Sequence, residues 1–442
     1  MKISLSAIKN IVKRASAESA LRTTQERLGG SLRHKEEALS PRVLRRTLEE
    51  LRAVIDARVS EVEGGRRAQG IAQWYAKALP EQRRDMWLLM SEQFLADPQK
   101  ARAAQAQYAA AVGTPDEAAA EVRLRRATVS PRRRLLQRFS VNPEGIRFLV
   151  DMRAEFQSAL KTDKRLAALD VEMEYMFSTW FDVGFLELRR ISWDSPASLV
   201  EKLIQYEAVH DIKSWADLKN RLDSDRRCYG FFHPRLPNEP LIFVEVALMD
   251  EVAHCITPLL DEFGAAADLR RATTAIFYSI SNTQSGLRGV SFGDSLIKRV
   301  VETLKAEFPR LKTFSTLSPI PGLRNWLGRN AASLASSLQE VDVLALAEDA
   351  ALRKALMERA AQYLGREMTD GKPLDPVARF HLGNGARVEC LNWAGDPSVK
   401  GMKQSYGLMV NYLYDIKRLD KHRAGLEQGK IAVSSQVQSL LA

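Results

Sequence analysis

A chain of 442 residues, 45% of them hydrophobic, is too long for one ordinary core, so two domains are expected. No apolar run approaches the roughly 20 residues that span a bilayer, which predicts a soluble protein without membrane contact. A formal charge of +10 suits a polyanionic ligand, and the three scattered cysteines, Cys228, Cys255 and Cys390, form no C-x-x-C pair. They suggest neither a disulfide framework nor a zinc site, and they point to a reducing compartment, the cytoplasm in the simplest case.

The stretch from Met1 to Arg22 is basic, serine-bearing and amphipathic. A helical arm and a mitochondrial presequence both fit it, and the second would place the protein in the mitochondrial matrix. Ser40-Pro41 then opens a helix in which Leu44, Leu48, Leu51, Ile55, Val59 and Val62 recur three and four apart. Gly64-Gly65 is predicted to stop it. Gly113 closes a further helix, Thr114-Pro115 opens the next, and Asn142-Pro143-Glu144 opens another. No segment alternates with period two. Residues 1–178 are therefore expected to form a helical bundle. Its one histidine is His34, and nothing in it has metal-ligand spacing, so an interaction or oligomerisation role is the natural expectation. Arg123, Arg125, Arg126, Arg132, Arg133, Arg134 and Arg138 form a basic run without interleaved aromatics. A solvated face accounts for it better than nucleic-acid binding.

Composition changes near Phe177–Gly184, and strand-like runs follow in residues 179–442. They are Phe185–Trp193, Cys228–His233, Leu241–Leu248, Thr274–Ser281, Lys312–Leu317, Val377–Leu382 and Ala386–Trp393. Ser195-Pro196 and Ser214-Trp215 start helices between them. The expected second domain is a mixed sheet with helices. Asn384-Gly385, between two of these runs, predicts a hairpin that would put His381 near a strand end. His254 and Cys255 read as buried positions of an apolar helix.

Most of the chemistry concentrates between Thr273 and Leu323. The buried strand Ala275–Ile280 leads into a polar, glycine-bearing loop, Asn282–Gly293. An amphipathic helix carrying Leu296, Ile297, Val300, Val301 and Leu304 follows. Strand, glycine loop and helix N-terminus together favour an anion, because loop N–H groups and the helix dipole point at one place. Ser318-Pro-Ile-Pro-Gly322 is a rigid turn that holds one hydroxyl. From spacing alone, a turn serine at Ser318 and a structural histidine at His381 stay open beside catalytic roles.

Arg288-Gly-Val-Ser-Phe-Gly293 resembles the coenzyme A loop of the GNAT acyltransferase superfamily. Four blocks widen the likeness: CYGFFHPRLPNEPLIFVEVAL, YSISNTQSGLRGVSFG with LIKRVV, FSTLSPIPG, and RFHLGNGARVECLNWAGDPSVKGM with SYGLMVNYLY. In this order they resemble the malonyl-CoA decarboxylase family over roughly Phe177 to Tyr414. The resemblance implies an N-terminal helical bundle followed by a GNAT-like mixed-sheet catalytic domain. It implies decarboxylation of malonyl-CoA to acetyl-CoA, with Ser318 and His381 in proton transfer and Tyr414 near the acyl group. It places the CoA contacts at Arg288, Gly289, Val290, Ser291, Phe292, Gly293 and Asp294, with Lys298 and Arg299 meeting phosphates. Ser291 stands where the GNAT loop usually has glycine. No cofactor is implied, coenzyme A being part of the substrate, and a homo-oligomer, a tetramer by family precedent, is expected. A GNAT-type acyltransferase and a non-catalytic CoA- or nucleic-acid-binding protein are the competing readings.

Overall fold

The computed structural model describes residues 38–290, 292, 296–338 and 349–442. The expected N-terminal arm or presequence and His34 lie outside them. The chain divides into two compact units between Phe177 and Ser178. The first is helical and the second is built on a mixed sheet, the order anticipated from periodicity.

Eight helices make the described part of the first unit: α1 Pro41–Val54, α2 Glu61–Lys77, α3 Pro80–Glu92, α4 Pro98–Ala111, α5 Glu117–Thr128, α6 Pro131–Ser140, α7 Gly145–Leu160 and α8 Ala167–Trp180, whose last residues run past the division. Four of them, α1, α3, α4 and α6, have proline in the first turn, where a missing N–H costs nothing. Leu51, Met86, Met90, Leu135, Phe139, Leu149 and Phe156 fill the core.

Two expectations fail here. Gly64-Gly65 does not stop a helix: α1 ends at Val54, and both glycines sit inside α2, which Ser60 caps by accepting from the Glu63 N–H. A Cβ on Gly64 would lie 2.7 Å from the Val54 carbonyl, and one on Gly65 2.9 Å from Val141 Cγ1. The pair permits close helix approach, and that steric need is what selects glycine. The arginine run, likewise, is only partly a solvated face. Arg132 is buried and donates to the carbonyls of Met90 (3.0 Å), Ser91 (2.5 Å) and Ala168 (3.0 Å). Arg138 is also buried, with Glu61 3.2 Å away.

In the second unit the sheet runs β1 Glu187–Ile191, β2 Arg226–His233, β3 Leu236–Met249, β4 Thr274–Asn282, β5 Thr313–Thr316, β10 Met409–Leu413 and β6 Ser318–Pro319, with β9 Arg387–Asn392 also pairing β10. All named pairs in it are antiparallel except β4 with β5. That parallel pair needs a crossover, and α12, Leu296–Glu307, supplies it. Leu296, Ile297, Val300, Val301 and Leu304 of α12 are buried, the stripe read from the sequence. The remaining helices are α9 Ala197–Tyr206, α10 Trp215–Arg221, α11 Thr257–Leu260, α13 Leu323–Asn330, α14 Ala332–Ser337, α15 Ala350–Gly365, α16 Pro376–Gly383, α17 Val399–Ser405, α18 Leu419–Glu427 and α19 Ser435–Leu440. Met368–Thr369 (β7) and Lys372–Pro373 (β8) form a separate two-stranded ribbon.

The segment carrying His381 is the largest correction. Residues 376–383 are a helix, not a hairpin strand. Asp375 caps it, its carboxylate accepting from the N–H groups of Val377 and Ala378, and Pro376 occupies the first turn. Asn384-Gly385 ends this helix instead of turning a hairpin. Gly385 has φ +85°, and a Cβ there would lie 2.6 Å from the Leu419 carbonyl. His254 and Cys255 also depart from expectation: they precede α11 in a loop, His254 is exposed, and its Nδ1 is 2.7 Å from Asn392 Oδ1.

Arg132→Ala takes the arginine donor from three carbonyls, two of those bonds being buried, a loss of the kind that costs several kcal/mol. It is expected to lower the melting temperature by about 5 °C or more. Arg126→Ala, at an exposed position, should leave it within about 1 °C. Calorimetry of the two variants checks this.

Candidate active site

The site is made by a break in the sheet. β5 ends at Thr316, the Leu317 N–H bonds the Phe277 carbonyl (3.0 Å), and Ser318 then pairs Val410 of β10. Across the break, Asn411 Nδ2 donates to the carbonyls of Thr316 (2.6 Å) and Ala253 (3.0 Å), and the Tyr412 N–H donates to Thr316 Oγ1 (3.1 Å). A side chain and a hydroxyl thus replace the missing ladder bonds. The Pro319-Ile-Pro321 turn, rigid in φ, fixes Ser318 at the rim.

Ser318, His381 and Tyr414 come together although 63 and 33 residues separate His381 from the other two. Ser318 Oγ donates to Thr316 Oγ1 at 2.8 Å. It lies 3.3 Å from His381 Nε2, and His381 Nδ1 lies 2.7 Å from Tyr414 Oη. With the serine proton on Thr316, Nε2 carries hydrogen toward Ser318 and Nδ1 accepts from the tyrosine. The imidazole stacks on Tyr412, centroids 4.6 Å apart, and Phe380 meets it edge-on at 5.1 Å. All three groups are buried. Burial alone pushes the His381 value down to about 3, so the ring is neutral in the free protein. It likewise pushes Tyr414 far above its ordinary range and keeps the phenol protonated.

A cavity of about 220 Å³ opens in front of this trio. Its walls include Phe277, Ile280 and Asn282 of β4, Val377 and Phe380 of α16, and Val209. Val209 is held by its N–H on the Glu207 carboxylate (2.8 Å), which also takes the Ser279 hydroxyl (2.8 Å). Among the described residues, no lysine or arginine lines the cavity. Among the described residues, no group of three His, Cys, Asp or Glu could hold a metal ion.

The glycine loop leaves the same end of β4, directly after Asn282, so cavity and loop share one strand. Arg288 and Gly289 are exposed, with Gly289 at φ +83°. Val290 and Phe292 are buried anchors, and the Phe292 carbonyl accepts from Val183 N–H at 3.0 Å. Ser291, Gly293 and Asp294 lie outside the described residues. Lys298 is exposed on α12. Arg299 braces the chain. Its Nη1 donates to the carbonyls of Val183 (2.6 Å) and Leu186 (2.8 Å), and the guanidinium lies over Phe231. Sequence reasoning misses Thr316, although its i−2 position puts it on the face of Ser318. It also misses the wall residues Val209, Phe277 and Asn282, for which no local signal exists.

Comparison with known proteins agrees in one direction. Residues 184–442 match the malonyl-CoA decarboxylase C-terminal domain, and residues 94–181 match the malonyl-CoA decarboxylase N-terminal domain. The chain is 39% identical to mitochondrial malonyl-CoA decarboxylase of Mus musculus over 361 residues, 73% of either chain. It is 36% identical to that of Anser anser anser over 363 residues, 73% of this chain and 72% of the other. Among solved structures, malonyl-CoA decarboxylase from Rhodopseudomonas palustris superposes with a TM-score of 0.80 at 40% identity, covering 90% of this chain and 99% of that one. The enzyme from Agrobacterium vitis gives 0.80 at 39%, covering 90% and 100%.

The electrostatics of His381 make a pH prediction. Its folded value, about 3, lies below the ordinary 6.5, so the unfolded chain takes up the proton first. The stability this residue contributes is complete above pH 6.5 and is lost as pH falls from 6.5 toward 3. In 15N spectra of the free protein, His381 should remain the neutral Nε2–H tautomer from about pH 8 to about pH 5. A midpoint near the ordinary 6.5 would contradict the burial argument.

Proposed function

The chain belongs to the malonyl-CoA decarboxylase family, and from that premise we propose that it converts malonyl-CoA and one proton to acetyl-CoA and CO2 in the cavity before Ser318 and His381. The observation that carries this reading is a neutral, buried hydroxyl–imidazole–phenol chain at an uncharged cavity beside a glycine loop. The loop from Arg288 through Asp294 and the N-terminus of α12 would receive the pyrophosphate, with exposed Arg288 and Lys298 adding positive charge. The thioester arm would then follow β4 into the cavity.

Loss of CO2 breaks the carbon–carbon bond and leaves an electron pair that the thioester carbonyl accepts as an enolate. Donors at that oxygen are commonly worth about 3–4 kcal/mol each. We assign this stabilisation to the Ser318 hydroxyl and to N–H groups of the loop or of β4. In the free protein burial keeps His381 neutral. The malonyl carboxylate would bring a negative charge into a cavity without lysine or arginine among its described residues, and so favour proton uptake at His381. After CO2 leaves, the Ser318 hydroxyl passes a proton to the carbanionic carbon and recovers one from His381 Nε2. The proton taken up lands on Nδ1, where Tyr414 Oη turns from donor to acceptor and so keeps hold of the ring. One proton enters with the substrate and ends on the acetyl methyl group, which closes the balance. A thioester is already an electron sink, so we propose that no metal or organic cofactor takes part.

Ser318→Ala and His381→Ala are each expected to lower turnover by about 100-fold or more. Acetyl-CoA formation is measured with malonyl-CoA alone, since an acyltransferase would need an acceptor. The wild-type rate should survive dialysis against EDTA. A variant that keeps half the wild-type turnover would remove that residue from the mechanism.

The helical unit exposes Val62, Leu79, Val171 and Tyr175, apolar area that is costly to leave in water. We propose that it assembles the protein into a homo-oligomer, a tetramer in the simplest case. Light scattering should then return a mass near a multiple of 49.6 kDa. A single chain's mass at micromolar concentration would contradict it.

A further inference from the structure

Ser318 and His381 sit on separate elements, the proline turn after β5 and the helix α16. Their side chains touch over one contact of 3.3 Å, too long and too weak to set its own geometry. Something else must hold the turn against the helix. Behind the cavity one carboxylate touches both. Asp375 is completely buried. Its Oδ1 accepts from the N–H groups of Val377 (2.9 Å) and Ala378 (3.0 Å), which begin α16. Its Oδ2 accepts from the Gly322 N–H (3.3 Å), the last residue of the proline turn, and from Tyr363 Oη of α15 (3.2 Å). Gly322 also caps α13, so two helix N-termini, those of α13 and α16, converge on this single anion.

The packing around the knot leaves little play. A Cβ on Gly322 would come 2.0 Å from Tyr363 Oη and 3.3 Å from Asp375 Oδ2. Tyr363 is itself buried and braced by Trp326 of α13, ring centroids 5.3 Å apart. Both arms are short. Four residues run from Ser318 to Gly322 with two prolines among them, and six run from Asp375 to His381 through less than two helical turns. A shift at the carboxylate therefore reaches both reacting side chains almost undamped.

We infer that Asp375 is the positioning residue that sets the Ser318–His381 separation, by tying the proline turn to the N-terminus of α16. Its own side chain is not among the residues that line the cavity, and it acts through the two elements that it joins. The inference rests on the reading that Ser318 and His381 carry the reaction.

Asp375→Asn tests it. The amide keeps the size of the carboxylate but must turn an NH2 toward N–H groups that need acceptors. Turnover is expected to fall about 30-fold, the order that a small misplacement of reacting groups costs. The KM for malonyl-CoA and the Kd for acetyl-CoA should stay within about twofold, because the loop is untouched. In a Ser318→Ala, His381→Ala background the same change should have no further effect on the residual rate, since nothing remains to be positioned. A folded Asp375→Asn protein with turnover within twofold of wild type overturns the inference. So does an equal loss in both backgrounds, which would mark a general structural role. Should Asp375→Asn not fold, Tyr363→Phe removes one of the four bonds and keeps the rest. A threefold or larger loss of turnover at unchanged KM supports the inference, and an unchanged rate overturns it. If Ser318→Ala and His381→Ala themselves keep full activity, the site assignment has failed, and the result reads independently of Asp375.

Discussion

Dehydration of one imidazole organises the second unit. His381 is enclosed by Tyr412 beneath, Phe380 beside and Tyr414 on Nδ1, and among the described residues no charged side chain compensates for the water it has lost. A ring in that position must be neutral, and a neutral ring has one donor and one acceptor to satisfy. Tyr414 fills the acceptor. The donor points at Ser318, whose own proton is taken by Thr316. The polarity of the whole chain follows from the absence of charge. Among the described residues, the cavity walls carry no charged side chain either.

Charge is handled very differently elsewhere. The arginines that make the chain basic are in large part structural, each tied to carbonyls or carboxylates. Arg132 gathers three carbonyls inside the helical unit, and Arg299 gathers two beside the glycine loop. Arg221, almost wholly buried, pairs with Asp217 and with Glu245, whose carboxyl burial pushes up to about 8. The planar fork of arginine can satisfy several acceptors at once, which suits it to the ends of helices and loops. A basic composition therefore overstates how much positive surface is left for a polyanion. Arg288 and Lys298 are exposed in the loop region.

The sheet explains why loop and cavity coincide. A parallel step between β4 and β5 obliges the chain to cross over through α12, and the crossover begins where β4 delivers Asn282. The next strand then breaks after Thr316, and β10 holds both fragments, pairing Ser315 before the break and Ser318 after it. Asn411 and the Thr316 hydroxyl take over the bonds that the break releases. The Thr316 carbonyl and the N–H groups of Leu317 and Tyr412 each find a partner there, which limits the cost of the break.

Local pattern alone determined much of this protein. Period 3.6 marks the helical first part and the buried stripe of α12. Aromatic and β-branched runs mark β2 to β5, and the glycine loop and the Pro-locked Ser318 stand out by composition. Such features depend on residues within one or two turns of each other, which a sequence displays directly. His381 shows where that stops. Its segment resembles a strand because Val377, Phe380 and Leu382 are apolar, yet the cap at Asp375-Pro376 makes it helical. The glycines at 64, 65 and 385 read as punctuation, but what selects them is a neighbour's carbonyl or side chain lying within 3 Å of the absent Cβ. The meeting of Ser318 with His381, the capture of Arg132 and Arg299 by carbonyls and the loss of charge around the imidazole were decided only by tertiary structure. Each is a contact across tens of residues, and burial, the quantity that sets its chemistry, does not exist until the chain has packed.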